Sequence, residues 1–180
     1  MDFVAFACDD DPEVYQWQVG INQAAIKADV PPCFLAAIVN RESGGRNIYQ
    51  VGMTHGPGCG VGLTQITYGV DWTYLSDPTL NGYHLLRPYE NLFVAANFFI
   101  APAIAECKQA QIYKPYEYGV SCNGQVLYGA AVVYNAGWSA VDEAMRGGYD
   151  ADKNTTNGYA EDVYRTYLRY VQASHYKLGS

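Results

Sequence analysis

A chain of 180 residues, 49% apolar and 16% charged, has the size of one domain with a sizeable core and is not a disordered segment. A formal net charge of −7 excludes the basic face that a nucleic-acid binder needs to displace counterions from phosphates. No apolar run approaches the roughly 20 residues that span a bilayer, so membrane insertion is not expected.

The start, MDFVAFACDDDPE, lacks the basic region of a secretory signal, and residues 1–12 are expected to be irregular. From Glu13 to Asp29 the apolar positions Val14, Trp17, Ile21, Ala24, Ala25 and Ala28 recur at three- and four-residue steps, which predicts an amphipathic helix. Pro31-Pro32 suit the first turn of a second helix, CFLAAIVNRE, which Gly44-Gly45 should stop. A glycine-rich stretch from Gly44 to about Gly69 follows, with strand alternation only around Gly60–Thr67. Pro88 opens a third helix, with Pro102 expected to kink or divide it. Later helices are expected over Gln125–Asn135, after Ser139 as a cap with Asp142 or Glu143 in the first turn, and from about Asn157 to His175. The predicted class is mainly α, one domain over residues 1–180, with a glycine-rich loop or small β-hairpin beside a cleft. Five cysteines show no CxxC pair and no Cys/His spacing, so no metal is expected; Cys107 and Cys122 flank a segment that a disulfide is able to close.

Leu35, Ile38 and Glu42 fall at i, i+3 and i+7, so the carboxyl continues a core-facing stripe. It also stands at a helix C-terminus, where the macrodipole is negative. Desolvation and the dipole both disfavour the ionised form, and a carboxylic acid that keeps its proton is what glycosidic cleavage needs at the leaving oxygen. The plainer alternative is a Glu42 paired with Arg41 or Arg46.

The glycines after Glu42 are expected to let backbone amides approach a ligand, and GCGVGLTQIT sets Gln65 beside such donors. Neither a GxxxxGK[ST] loop nor a Rossmann turn is present, so no nucleotide cofactor is expected. AAVVYNAGWSAV carries a buried helix into Tyr134, Asn135 and Gly137, an aromatic and an amide suited to a pyranose; the alternative is a core tyrosine and a capping asparagine.

Three stretches in this order resemble the lysozyme-like superfamily, in particular lytic transglycosylases and goose-type lysozymes. AAIVNRES resembles the catalytic helix ending in Glu-Ser, GVGLTQIT the Gly-Leu-Met-Gln-Ile element, and AAVVYNAG the Ala-x-x-Tyr-Asn-Ala-Gly segment; TTNGYAEDV is a fainter match to a Thr-x-x-Tyr-Val-x-x-Val stretch. The resemblance implies cleavage of the β-1,4 bond between N-acetylmuramic acid and N-acetylglucosamine in peptidoglycan, with Glu42 as general acid and no cofactor. Ser43 would support the carboxyl or the sugar, Gly62 and Gln65 would line the cleft from the loop, Tyr134 and Asn135 from the helix, and Tyr159 would lie near the acid. Thr64 replaces the family's methionine.

Where goose-type lysozymes carry two aspartates, this chain has Gly56 and Thr67. That departure favours a lytic transglycosylase, in which the muramyl O6 closes a 1,6-anhydro ring, over a hydrolase using water positioned by Thr67 or Asp71. Peptidoglycan glycan strands are the expected partner of a monomer, at the bacterial cell wall; without an evident signal the chain resembles a phage endolysin made in the cytoplasm and released at lysis, and a processed bacterial wall enzyme or a catalytic domain of a longer chain would look the same. A catalytically inactive glycan-binding module is the rival from another class, and chitin a rival substrate.

Overall fold

A computed structural model describes residues 3–50, 59–67, 85–113, 122–147, 152 and 157–178. These residues are mainly helical, with one two-stranded antiparallel sheet. In chain order the elements are α1 (Pro12–Tyr15), α2 (Gln18–Lys27), α3 (Pro32–Ser43), β1 (Gly60–Val61), β2 (Ile66–Thr67), α4 (Pro88–Val94), a π-helical segment (Ala95–Ile100), α5 (Ala101–Tyr113), α6 (Cys122–Ala136), α7 (Trp138–Gly147) and α8 (Tyr159–Leu178). No helix among the described residues is long and apolar enough to cross a membrane.

The centre of the core is α3. Pro32 occupies its first turn, where a missing N–H costs nothing, and every residue from Pro32 to Val39 is buried. A helix apolar on all sides must be enclosed, and α1, α2 and α8 enclose it. The long helix α8 runs antiparallel to α3: Ser174 meets Cys33, the Tyr167 ring meets Phe34 edge-on with centroids 6.0 Å apart, Asp162 meets Arg41, and Tyr159 meets Glu42. Residues 3–10 form no helix or strand and are tied down at both sides. Phe6 exchanges two hydrogen bonds with the Asn22 side chain, and the Ala7 amide donates to Ser174 Oγ at 2.9 Å. Asp11 then accepts from Arg169 and, at 2.5 Å, from the Tyr170 hydroxyl.

The helix expected from Glu13 to Asp29 is two helices, because the chain turns at Gln16 and Trp17 and the Trp17 indole donates to the Gly45 carbonyl at 2.8 Å. Ser139 lies inside α7 rather than capping it. Pro102 sits in the first turn of α5, and the α-helix expected from Pro88 is interrupted just before it, by the π-helical segment. There Asn97 Nδ2 donates to the Phe93 carbonyl at 2.9 Å, occupying an acceptor within the widened ladder. Cys107 is a free, buried thiol pushed up to about 12, chiefly by burial, so the closure with Cys122 is not formed.

Candidate active site

Glu42 is the second-last residue of α3, and Gly44 closes that helix in the left-handed conformation with φ 60°. The side chain is half-buried, and its hydrogen-bond partner is the Tyr159 hydroxyl, which donates to Oε1 at 2.5 Å. Neither neighbouring arginine forms a salt bridge with it. Arg41 reaches Asp162 at 3.6 Å and lies over the Tyr159 ring, while Arg46 Nε donates to the Ser43 carbonyl. Burial raises the Glu42 carboxyl above the usual carboxylate range, against the opposing pull of the Tyr159 hydrogen bond and the Arg41 charge.

Two phenols stand around this acid, Tyr159 buried and Tyr134 partly buried. Tyr159 is raised well above the usual tyrosine value by burial and then by the Glu42 charge, and Tyr134 is raised by the same two causes in the same order. Both therefore stay neutral donors across physiological pH. Tyr159 is held in place by a cap supplied from a distance. The fully buried Asp152 accepts from the Ala160 amide at 2.7 Å and the Glu161 amide at 3.0 Å, which are orphan donors of the first turn of α8, and also from the Tyr128 hydroxyl. Nothing in the spacing of the sequence announced this cap, since Asp152 lies seven positions before Tyr159.

Glu42 opens onto a cleft of about 520 Å³. Its hairpin side is made by Gln65, Ile66 and Thr67, and another side by Tyr134, Asn135 and Gly137 at the end of α6, with Trp138 starting α7. The π-helical segment and α5 supply Phe98, Phe99, Pro102, Ala103 and Glu106. Tyr134 packs edge-on with Phe99 at 6.3 Å between centroids and its hydroxyl donates to the Thr64 carbonyl at 2.7 Å, so it fixes the hairpin to α6 while lining the cleft. Asn135 is exposed and lines the cleft.

The hairpin pairs Gly60 with Thr67 and Val61 with Ile66. A buried asparagine that sequence reasoning missed holds it to the body. Asn91 Oδ1 accepts from Thr64 N at 2.9 Å and Thr64 Oγ1 at 2.8 Å, and Asn91 Nδ2 donates to the Val61 carbonyl at 2.9 Å. The available signal was a polar residue beside Leu92 on an otherwise apolar helix face. Thr64 accordingly points into the protein and does not form a cleft wall.

Several expected sugar contacts serve the scaffold instead. Ser43 is buried and donates to the Leu63 carbonyl at 2.7 Å, locking α3 to the hairpin, so it reaches neither the Glu42 carboxyl nor the cleft. Gly62 is buried behind the hairpin with φ 78°; a Cβ there would stand 2.4 Å from Asn91 Nδ2 and 2.5 Å from the Leu85 carbonyl oxygen, so it is glycine for packing and not for ligand approach. Gln65 lines the cleft, but both its amide protons are used within the loop, on the Ile48 and Gly62 carbonyls at 3.0 and 2.8 Å. Of the glycines directly after Glu42, Gly44 is a helix cap and Gly45 packs where a Cβ would meet the Glu13 carbonyl oxygen, and neither lines the cleft. Thr67 is half-buried and lines the cleft, whereas Asp71 and Gly56 lie outside the described residues.

The structure thus brings Glu42, Gln65, Thr67, Tyr134 and Asn135 to one cleft, with Tyr159 behind the acid. Fold and site together define a class, a mainly α protein whose aromatic-lined cleft holds a half-buried carboxylic acid. No protein-family model matches the chain, and a search of curated proteins finds no match to it.

Proposed function

We propose that this chain is a lysozyme-like glycosidase that cleaves the β-1,4 bond between N-acetylmuramic acid and N-acetylglucosamine in peptidoglycan. The observation that carries the reading is the setting of Glu42, a carboxyl raised by burial, held by a neutral phenol and open to a cleft with aromatic and amide walls. Glu42 gives its proton to the glycosidic oxygen as the bond to the anomeric carbon breaks, and the aromatic side chains of Tyr134, Phe99 and Trp138 with Asn135, which line the same cleft, hold a pyranose beside it. The sequence motifs around Glu42, Gln65 and Tyr134, in the order the resemblance requires, support the same substrate. A module that only bound glycan would gain nothing from a half-buried acid without an ion-pair partner.

Two fates of the glycosyl fragment follow from different observations. The threonine at position 67 favours closure by the muramyl O6, the lytic transglycosylase outcome. Hydrolysis is favoured by a second carboxyl on the cleft wall, Glu106. The acid step is common to both. It is tested with purified wild type and Glu42→Gln on bacterial sacculi. Turbidity should fall with wild type, and the variant should be slower by about 100-fold or more, the usual worth of a general acid. A variant that keeps more than about a tenth of the rate removes Glu42 from the mechanism.

A further inference from the structure

The side chains that reach the cleft from the π-helical segment and α5 are Phe98, Phe99, Pro102, Ala103 and Glu106. From Phe99 onward they follow steps of three and four residues, so Glu106 is the next position of one continuous helix face. The π-helical segment sets that face. A π turn holds one residue more than an α turn, and each residue of an α-helix turns the face by about 100°. Across this segment the packing partner of the rod changes from α2, against α4, to α6, against α5. Within α5 the buried positions Ile104 and Cys107 make the inner stripe, and Glu106 stands beside it, exposed to solvent. A carboxyl at this position is not needed by the fold.

From this placement we infer that Glu106 is the second carboxyl of the active site and the general base of a hydrolytic cleavage, an inference that rests on the proposed glycosidase function. The two carboxyls occupy contrasted settings, one half-buried against tyrosines on α3 and one in water on α5, the arrangement that separates an acid from a base. They come from different elements, Glu42 from α3 and Glu106 from α5, and both line the same cleft. In the reaction, Glu42 transfers its proton to the leaving O4 as the C1–O4 bond breaks. A water molecule forms the new C1–O bond and gives one proton to Glu106. Solvent then carries that proton from Glu106 back to Glu42, so that one water is consumed and both groups are restored. Thr67, on the hairpin side of the same cleft, is placed to orient the water through its hydroxyl rather than to take a proton.

The inference is tested on the full chain with sacculi as substrate and mass spectrometry of the released muropeptides. Wild type should yield reducing-end products in excess of 1,6-anhydro products, which are lighter by one water. Glu106→Gln should form reducing-end product about 100-fold more slowly at an unchanged melting temperature. In Glu106→Ala, sodium azide should restore turnover and give a glycosyl azide, since a small anion then enters where the base stood; a residue with only a structural role shows no such rescue. Anhydro products alone from wild type, or reducing-end product from Glu106→Gln at more than a tenth of the wild-type rate, would overturn the assignment and leave the acid role of Glu42 intact. Wild type without any activity on sacculi would remove the glycosidase function and this inference together.

Discussion

The α3–α8 side of the cleft and the side built from the π-helical segment and α5 each present a glutamate, and they differ in almost everything else. Glu42 stands at the end of a helix enclosed on all sides, with a buried phenol at 2.5 Å and a carboxyl raised by burial. Glu106 stands on a helix that is open to water along that edge. The same side chain is half-buried against a phenol in one place and exposed in the other, and the difference lies in what has been packed around it. The hairpin mediates between the two sides. It is bolted to α3 through Ser43, to α4 through Asn91 and to α6 through Tyr134, so its position relative to Glu42 is fixed by three hydrogen-bonded ties.

Breaking the hairpin tie gives the largest expected loss of stability. Asn91→Ala leaves the Thr64 amide, the Thr64 hydroxyl and the Val61 carbonyl buried without their partner, at a cost of about 2–4 kcal/mol. Thermal unfolding should fall by roughly 5–15 °C, and an unchanged melting temperature would mean that the hairpin is held by other contacts.

A smaller effect is expected from Tyr159→Phe, which acts on the acid side alone. The hydroxyl stabilises the charged form of Glu42, so its removal should move the Glu42 titration further upward, and the high-pH limb of the rate profile, where the acid is lost, should move with it. Turnover at the optimum should fall about tenfold, the scale of one charge-assisted hydrogen bond. A limb that moves downward would reverse the assigned direction of this contact.

The smallest effect is on stability against pH. A carboxyl raised in the folded state binds more protons there than in the unfolded chain, so wild type should lose stability relative to Glu42→Gln as pH rises from the ordinary carboxylate range through the Glu42 titration. The difference in melting temperature should grow by a few degrees in that window and be constant below and above it. A difference that stays constant across this window and changes only below the ordinary carboxylate range would show that Glu42 is held ionised.

Much of the helical framework was legible because it rests on local rules. Pro32 and Pro88 opened helices where proline costs least, and Gly44 ended α3 in the left-handed conformation that favours glycine. The hairpin at Gly60–Thr67 was legible as a short alternation. The raised acid was also reachable from sequence, although the stripe that led to it understated the burial of α3, which is enclosed on every face from Pro32 to Val39. The unread features all depend on distant partners. The roles of Ser43 and Gly62 are set by Leu63, Leu85 and Asn91, the cap on α8 comes from Asp152, and the π-helical segment has no composition that marks it. Glu106 was passed over because no motif contains it, and only the helix register across the π turn carries it to the cleft.

The central claim is that Glu42 acts as the acid of glycan cleavage, and mass spectrometry of sacculi digested by wild type and by Glu42→Gln tests it most directly. Wild type should release muropeptides cut between N-acetylmuramic acid and N-acetylglucosamine, and the variant, folded and at least as stable at neutral pH, should release about a hundredth as much or less. Equal release by both proteins, or fragments cut only in the peptide stems, would contradict the account.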